Sequence, residues 1–249
     1  MESNPDATGV VVRIDRDLTR AILRGSYCPG SRLPTLRDLA VQYGVNPSTM
    51  HRALARVEAR GLITARQGSG LRVNDPHEVG DISLVPDWLA AMADNPVRAA
   101  SILADILEIR RVLAVRLIAR HRDELLVAFP ELLAQAALAQ NVAPERFWVT
   151  DIDFARQLLR ITGNIMVLAV LNTVARSLDE LPTLVEAMYG DPARSITSLL
   201  AVLEAIRAGG EIMADRIDAL MAEVDATTVA RFRNLLEAAL GQSGVTAVR

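Results

Sequence analysis

Residues 31–61 read SRLPTLRDLAVQYGVNPSTMHRALARVEARG. Two short helical patterns sit here, separated by a tight turn. Thr35 is a plausible N-cap for the helix beginning at Leu36, and Gly44 stops it, since a glycine readily takes the left-handed conformation that ends a helix. Val45-Asn46 makes the turn. Asn46 is a good N-cap for a further helix, Pro47 is an allowed first helical residue, and Gly61 closes it. Met50, Leu54 and Val57 recur at helical spacing and should face a core.

Working outward, residues 10–24 carry Val11, Ile14, Leu18, Ala21 and Ile22 at helical spacing and end at Gly25. Downstream, LITAR (62–66) and LRVN (71–74) are short β-type runs around Gln67-Gly68-Ser69-Gly70, which reads as a hairpin. Helix, helix, turn, helix, hairpin is the order of a winged helix-turn-helix. The expected fold is therefore mainly α, with that domain over 1–75. Residues 76–97 read as a linker with a short helix, and 98–249 as an all-helical bundle. Helices are expected over roughly 99–121, 123–140, 144–162, 164–189, 192–208 and 210–240, with Pro130, Pro182 and Pro192 marking breaks or kinks.

Composition agrees with helices. Hydrophobic residues make up 51% of the 249 and aromatics only 4%, so the core must be aliphatic. No apolar run is long enough for a membrane span, and the first residues lack the pattern of a secretory signal. One cysteine excludes an internal disulfide framework and fits a reducing, cytoplasmic setting. The formal charge is -3, unevenly spread. Residues 1–75 hold eleven Arg against seven acids, whereas the remainder holds sixteen Arg against twenty-three. The basic excess lies where a DNA-reading helix is expected. Duplex DNA is the implied partner. The first residues of a recognition helix reach base edges in the major groove. Here Ser48, Thr49, His51 and Arg52 offer the hydrogen-bonding groups, with Arg37 on the preceding helix, and Gln67 and Gly68 at the hairpin tip.

The same segments resemble the GntR family of bacterial regulators: S-R-L-P-T-L-R-D-L-A (31–40), G-V-N-P-S-T-M-H-R-A-L (44–54), G-L-I (61–63) and R-Q-G-S-G-L-R-V (66–73). The resemblance implies the same seven DNA-contacting residues. This chain has Asn46-Pro47 where many members carry Ser/Thr-Arg, and His51 where they carry Arg, so operator bases do not transfer. Further on, L-E-I-R-R-V-L (107–113), D-I-D-F-A-R-Q-L-L-R-I-T-G-N (151–164) and L-L-A-V-L-E-A-I-R-A-G-G (199–210) resemble the helical effector domain of the fatty-acid-regulator (FadR-like) branch, called FCD.

Most FCD domains hold a metal through one Asp and three His. The resemblance places the Asp at Asp151 and the His positions at Ala155, Leu199 and Met221, none of which can ligate. No metal and no cofactor are therefore expected. Three apolar replacements suit a lipid-like effector, such as a fatty acyl-CoA, with Arg110 and Asn164 as polar residues at or near the cavity. The alternatives are a small-carboxylate effector, or a DNA-binding protein with no effector. A homodimer is expected, placing two recognition helices on a pseudo-palindromic operator; the sequence does not give the direction of the switch, and release on effector binding is what the family resemblance implies. Enzymatic function is not expected: the chain has no lysine for a Schiff base and no nucleophile-base arrangement or phosphate loop.

Overall fold

The computed structural model describes residues 5–66, 70–140 and 142–246 and separates into two compact units, Met1–Met92 and Ala93–Arg249.

The first unit begins with α1 (Pro5–Leu23), followed by α2 (Leu36–Gln42) and α3 (Pro47–Ala59). Both later starts are fixed locally. The Thr35 hydroxyl accepts from the Asp38 backbone N–H at 3.2 Å while Asp38 Oδ2 accepts from the Thr35 N–H at 3.3 Å, a reciprocal capping box. Asn46 Oδ1 accepts from the Thr49 N–H at 2.8 Å, and Pro47 opens α3. Between them Gly44 sits at φ +63°, which a Cβ would strain. β1 (Ile63–Arg66) then pairs antiparallel with β2 (Gly70–Val73), Ile63 opposite Val73. α1 packs along α3, so Ile14, Leu18 and Ile22 meet the buried row Met50, Ala53, Leu54 and Val57 in one cluster.

Residues 76–92 fall in the stretch expected as a linker with a short helix. They form α4 (Pro76–Val79), a 3-10 turn (Ile82–Leu84) and α5 (Val85–Ala91). Leu84 and Ala91 are buried in the same cluster as the helices of the DNA-reading fold, with Trp88 and Met92 packed against it. Polar contacts add to this. Arg60, the C-cap of α3, pairs with Asp87 and donates to the Thr19 hydroxyl at 3.3 Å, and Arg24 donates to the Ala91 carbonyl at 2.6 Å. Asp15, 3% exposed, receives Arg56 at 2.8 Å. The short helix was legible in the sequence, but its docking was not, because the contacts of Leu84, Asp87 and Ala91 are with residues far away in the chain.

The second unit is entirely helical among its described residues: α6 (Pro96–Arg120), α7 (Arg122–Val127), α8 (Phe129–Ala139), α9 (Pro144–Ile161), α10 (Ile165–Ser177), α11 (Pro182–Tyr189), α12 (Pro192–Ala208) and α13 (Met213–Thr246). The single helix expected over 123–140 is two, divided at Ala128, with Pro130 in the first turn of α8. The stretch 164–189 is likewise divided, by a 3-10 turn at Leu178–Glu180 ahead of Pro182. α6 and α13 form the most extensive helix pair. The main core gathers Ile118, Leu125, Leu132, Phe154, Leu203, Ile206 and Ile217, and a smaller one holds Phe147 and Tyr189.

Candidate nucleic-acid interface and effector site

The outer face of α3 follows from its inner one. With Met50, Ala53, Leu54 and Val57 buried, Ser48, His51 and Arg52 are exposed at its N-terminal end and Thr49 is half-buried. Arg37, in the first turn of α2, is also exposed. These five of the seven sequence-derived candidates thus lie in the α2–turn–α3 segment. Gln67 and Gly68 lie outside the described residues. Among the described residues the side chains of Arg37, His51 and Arg52 have no internal partner, whereas Arg56 and Arg60 further along are committed to Asp15 and Asp87.

In the second unit the polar residues meet at one junction of four helices. The Tyr189 hydroxyl on α11 donates to Asp151 Oδ2 on α9 at 3.1 Å, and the Arg110 guanidinium on α6 pairs with Asp225 on α13. Arg110 also lies within electrostatic reach of Asp151 and Tyr189. Burial raises the pKa of the Asp151 carboxyl above the ordinary carboxylate value, against the opposing pull of the Tyr189 hydroxyl and Arg110. Burial likewise raises Asp225, partly offset by Arg110 and Arg111, and pushes the Tyr189 hydroxyl well up, helped by the neighbouring Asp151 charge. Asp225 Oδ2 is buried and has no hydrogen-bond partner among the described residues.

The remaining effector candidates are dispersed. Leu199 on α12 and Met221 on α13 both pack against the main core, and Ala155 is half-buried one turn beyond Asp151. Asn164 caps α10, accepting from the Val167 N–H at 3.1 Å. The residues present do not fit a metal ion. Asp151 is engaged by a phenol, and the three positions that would complete a ligand set carry apolar side chains. Tyr189 and Asp225 escaped the sequence reading. Asp225 had a signal, an acid four residues after Met221 and seven before Phe232, interrupting the buried stripe of α13.

This junction makes a pH prediction. Asp151 and Asp225 hold their protons more tightly folded than unfolded. Their contribution to stability is therefore full below the unfolded carboxylate pKa and lost as pH rises through the raised folded value. The melting temperature of the wild type, relative to an Asp151→Asn/Asp225→Asn double variant, should rise as pH falls from about 7.5 to about 5. A difference that stays constant across that range would dismiss the assignment.

Comparison with known proteins places both units. The model described as bacterial regulatory proteins, gntR family, matches residues 11–73, and that of the FCD domain matches 105–224. The uncharacterized HTH-type transcriptional regulator Rv0494 of Mycobacterium tuberculosis is 31% identical over 214 residues, covering 82% of this chain and 83% of its own. The fatty acid metabolism regulator protein of Yersinia pestis is 28% identical over 158 residues, covering 62% of this chain and 63% of its own. The solved structure reported for Lar, which controls expression of the Listeria monocytogenes agr system, aligns over 92% of this chain and 98% of that one at 16% identity, with a TM-score of 0.49. Among the described residues no helix is long and apolar enough to cross a membrane. The chain therefore belongs to the GntR family of bacterial transcriptional regulators, with an FCD domain as its second part, and is not an enzyme.

Proposed function

We propose that this regulator binds operator DNA through Arg37, Ser48, Thr49, His51 and Arg52, aided by Gln67 and Gly68. A lipid-like acid, of which a fatty acyl-CoA is the leading example, relieves that binding from the FCD domain. The observation that carries the first part is the free, hydrogen-bonding N-terminal face of α3 on the opposite side from its buried row. Arg37 and Arg52 would reach guanine edges or phosphates, and the first turn of α3 would supply further base contacts.

The effector part rests on the replacement of a ligating set by Ala155, Leu199 and Met221, and on similarity to a protein named for fatty acid metabolism. Arg110 and Tyr189 carry donors that would meet the acid group of such an effector, with Asn164 as a further polar candidate. The protein would act in the cytoplasm as a homodimer. Ile109, Val112 and Leu113 form an exposed apolar strip on α6 that a partner copy would cover. The packing of Leu199 and Met221 into the core favours a second reading, in which the domain binds no small molecule.

One titration separates them. A fluorescent duplex enriched by the protein from a random pool is titrated with and without palmitoyl-CoA. A drop in affinity of about tenfold or more corresponds to at least ~1.4 kcal/mol of coupling, an ordinary allosteric magnitude. Unchanged affinity removes the acyl-CoA proposal and leaves the DNA-binding assignment in place.

A further inference from the structure

The hairpin has a third strand-like neighbour. The Gly30 N–H donates to the Val73 carbonyl at 2.8 Å, Val73 N–H to Ser31 at 3.0 Å, and Leu33 N–H to Leu71 at 3.0 Å. This ladder sets Arg32 directly opposite Arg72 in an antiparallel bridge. Arg72 in turn faces Thr64 on β1, and Arg66 faces Gly70. Alternation along each strand then puts Arg32, Thr64, Arg66 and Arg72 on one face. Leu33, Ile63, Leu71 and Val73 take the other, against the core.

Side chains directly opposed across antiparallel strands lie about 4.5–5.5 Å apart at Cβ, and like charges there repel. Among the described residues neither Arg32 nor Arg72 has an ion-pair partner. Arg32 is exposed, and Arg72 Nε is buried with no hydrogen-bond acceptor among the described residues. A cross-strand arginine pair without a carboxylate is therefore a standing cost of the free protein that a bound anion would remove.

We infer that the Arg32–Arg72 pair is a clamp for a backbone phosphate of the DNA that this regulator reads. Guanidinium groups match phosphate oxygens in a bidentate fork, so a single phosphodiester between two of them converts repulsion into attraction. DNA is the occupant because the pair sits on the hairpin of the DNA-reading unit, in the part of the chain that carries the basic excess. A phosphate contact anchors the hairpin without selecting sequence.

Counterion release provides the test. Arg32→Gln and Arg72→Gln full-length variants are titrated with the enriched duplex and with a random duplex at several salt concentrations. Each variant should lower the slope of log affinity against log salt by about 0.9 and weaken both duplexes by the same factor. Without DNA its melting temperature should hold or rise, because a like-charge contact is gone. Arg32→Lys should restore the slope and only part of the affinity. An unchanged slope in both glutamine variants overturns the clamp. So does weakening confined to the enriched duplex, which would assign base reading instead. Inorganic phosphate that raises the melting temperature of the wild type but not of Arg32→Gln, with the DNA slope unmoved, would show a site for free phosphate and also overturn it.

Discussion

Replacing Arg37 and Arg52 together by alanine should reduce operator affinity about 100-fold or more, while leaving the melting profile unchanged. A specific arginine contact to a base edge is worth about 1–3 kcal/mol, and contacts at separate positions add. Both side chains are exposed, at the start of α2 and in the first turns of α3, and neither has an internal partner among the described residues. Removing them therefore disturbs no packing. Arg56→Ala is the informative control. It lies on the same helix but is held by Asp15 at 2.8 Å, so its loss should touch stability before it touches DNA. If the double variant binds as tightly as the wild type, the α2–turn–α3 face is not the DNA-reading surface. If Arg56→Ala is the more damaging to binding, the reading face has been placed too near the N-terminus of α3.

Met50→Ala should cost the DNA-reading unit about 2–5 kcal/mol, the range for truncating a buried Leu, Ile or Met side chain. Met50 is 0% exposed and belongs to the buried cluster that α1 and α3 share. A small domain holds only about 5–15 kcal/mol in total, so a large share of the folded state's advantage would go. Calorimetry should show a transition assigned to the first unit falling by roughly 4–8 °C per kcal/mol lost. The transition of the FCD unit, which has its own core around Leu125, Leu132, Phe154 and Ile217, should hold. A single transition that shifts as a whole would mean the two units unfold together.

The first unit was readable because its signals are local. Thr35, Gly44, Asn46 and Pro47 each act on backbone within a few residues, and the structure uses them as caps and a turn. The apolar period of α3 likewise named its buried side correctly. What local patterns cannot carry is partnership across distance. The junction of Arg110, Asp151, Tyr189 and Asp225 draws one residue from each of four helices spread over more than a hundred positions, and only the folded bundle brings them together. The same holds for Asp15 and Asp87, whose arginine partners lie 41 and 27 positions away. The division at Ala128 lacked a glycine to announce it, and Pro130 was compatible with either a kink or a fresh start.

The docking of α5 against α1, with Asp87 gripping the arginine that ends α3, has a practical meaning for anyone wishing to transplant the DNA-reading head onto a foreign sensor. A chimera joined after Asp75 would leave Leu84 and Ala91 behind and open a greasy gap where they belong, so the seam is better placed after Met92. The first natural breakpoint in this polypeptide lies some seventeen residues later than the hairpin would suggest.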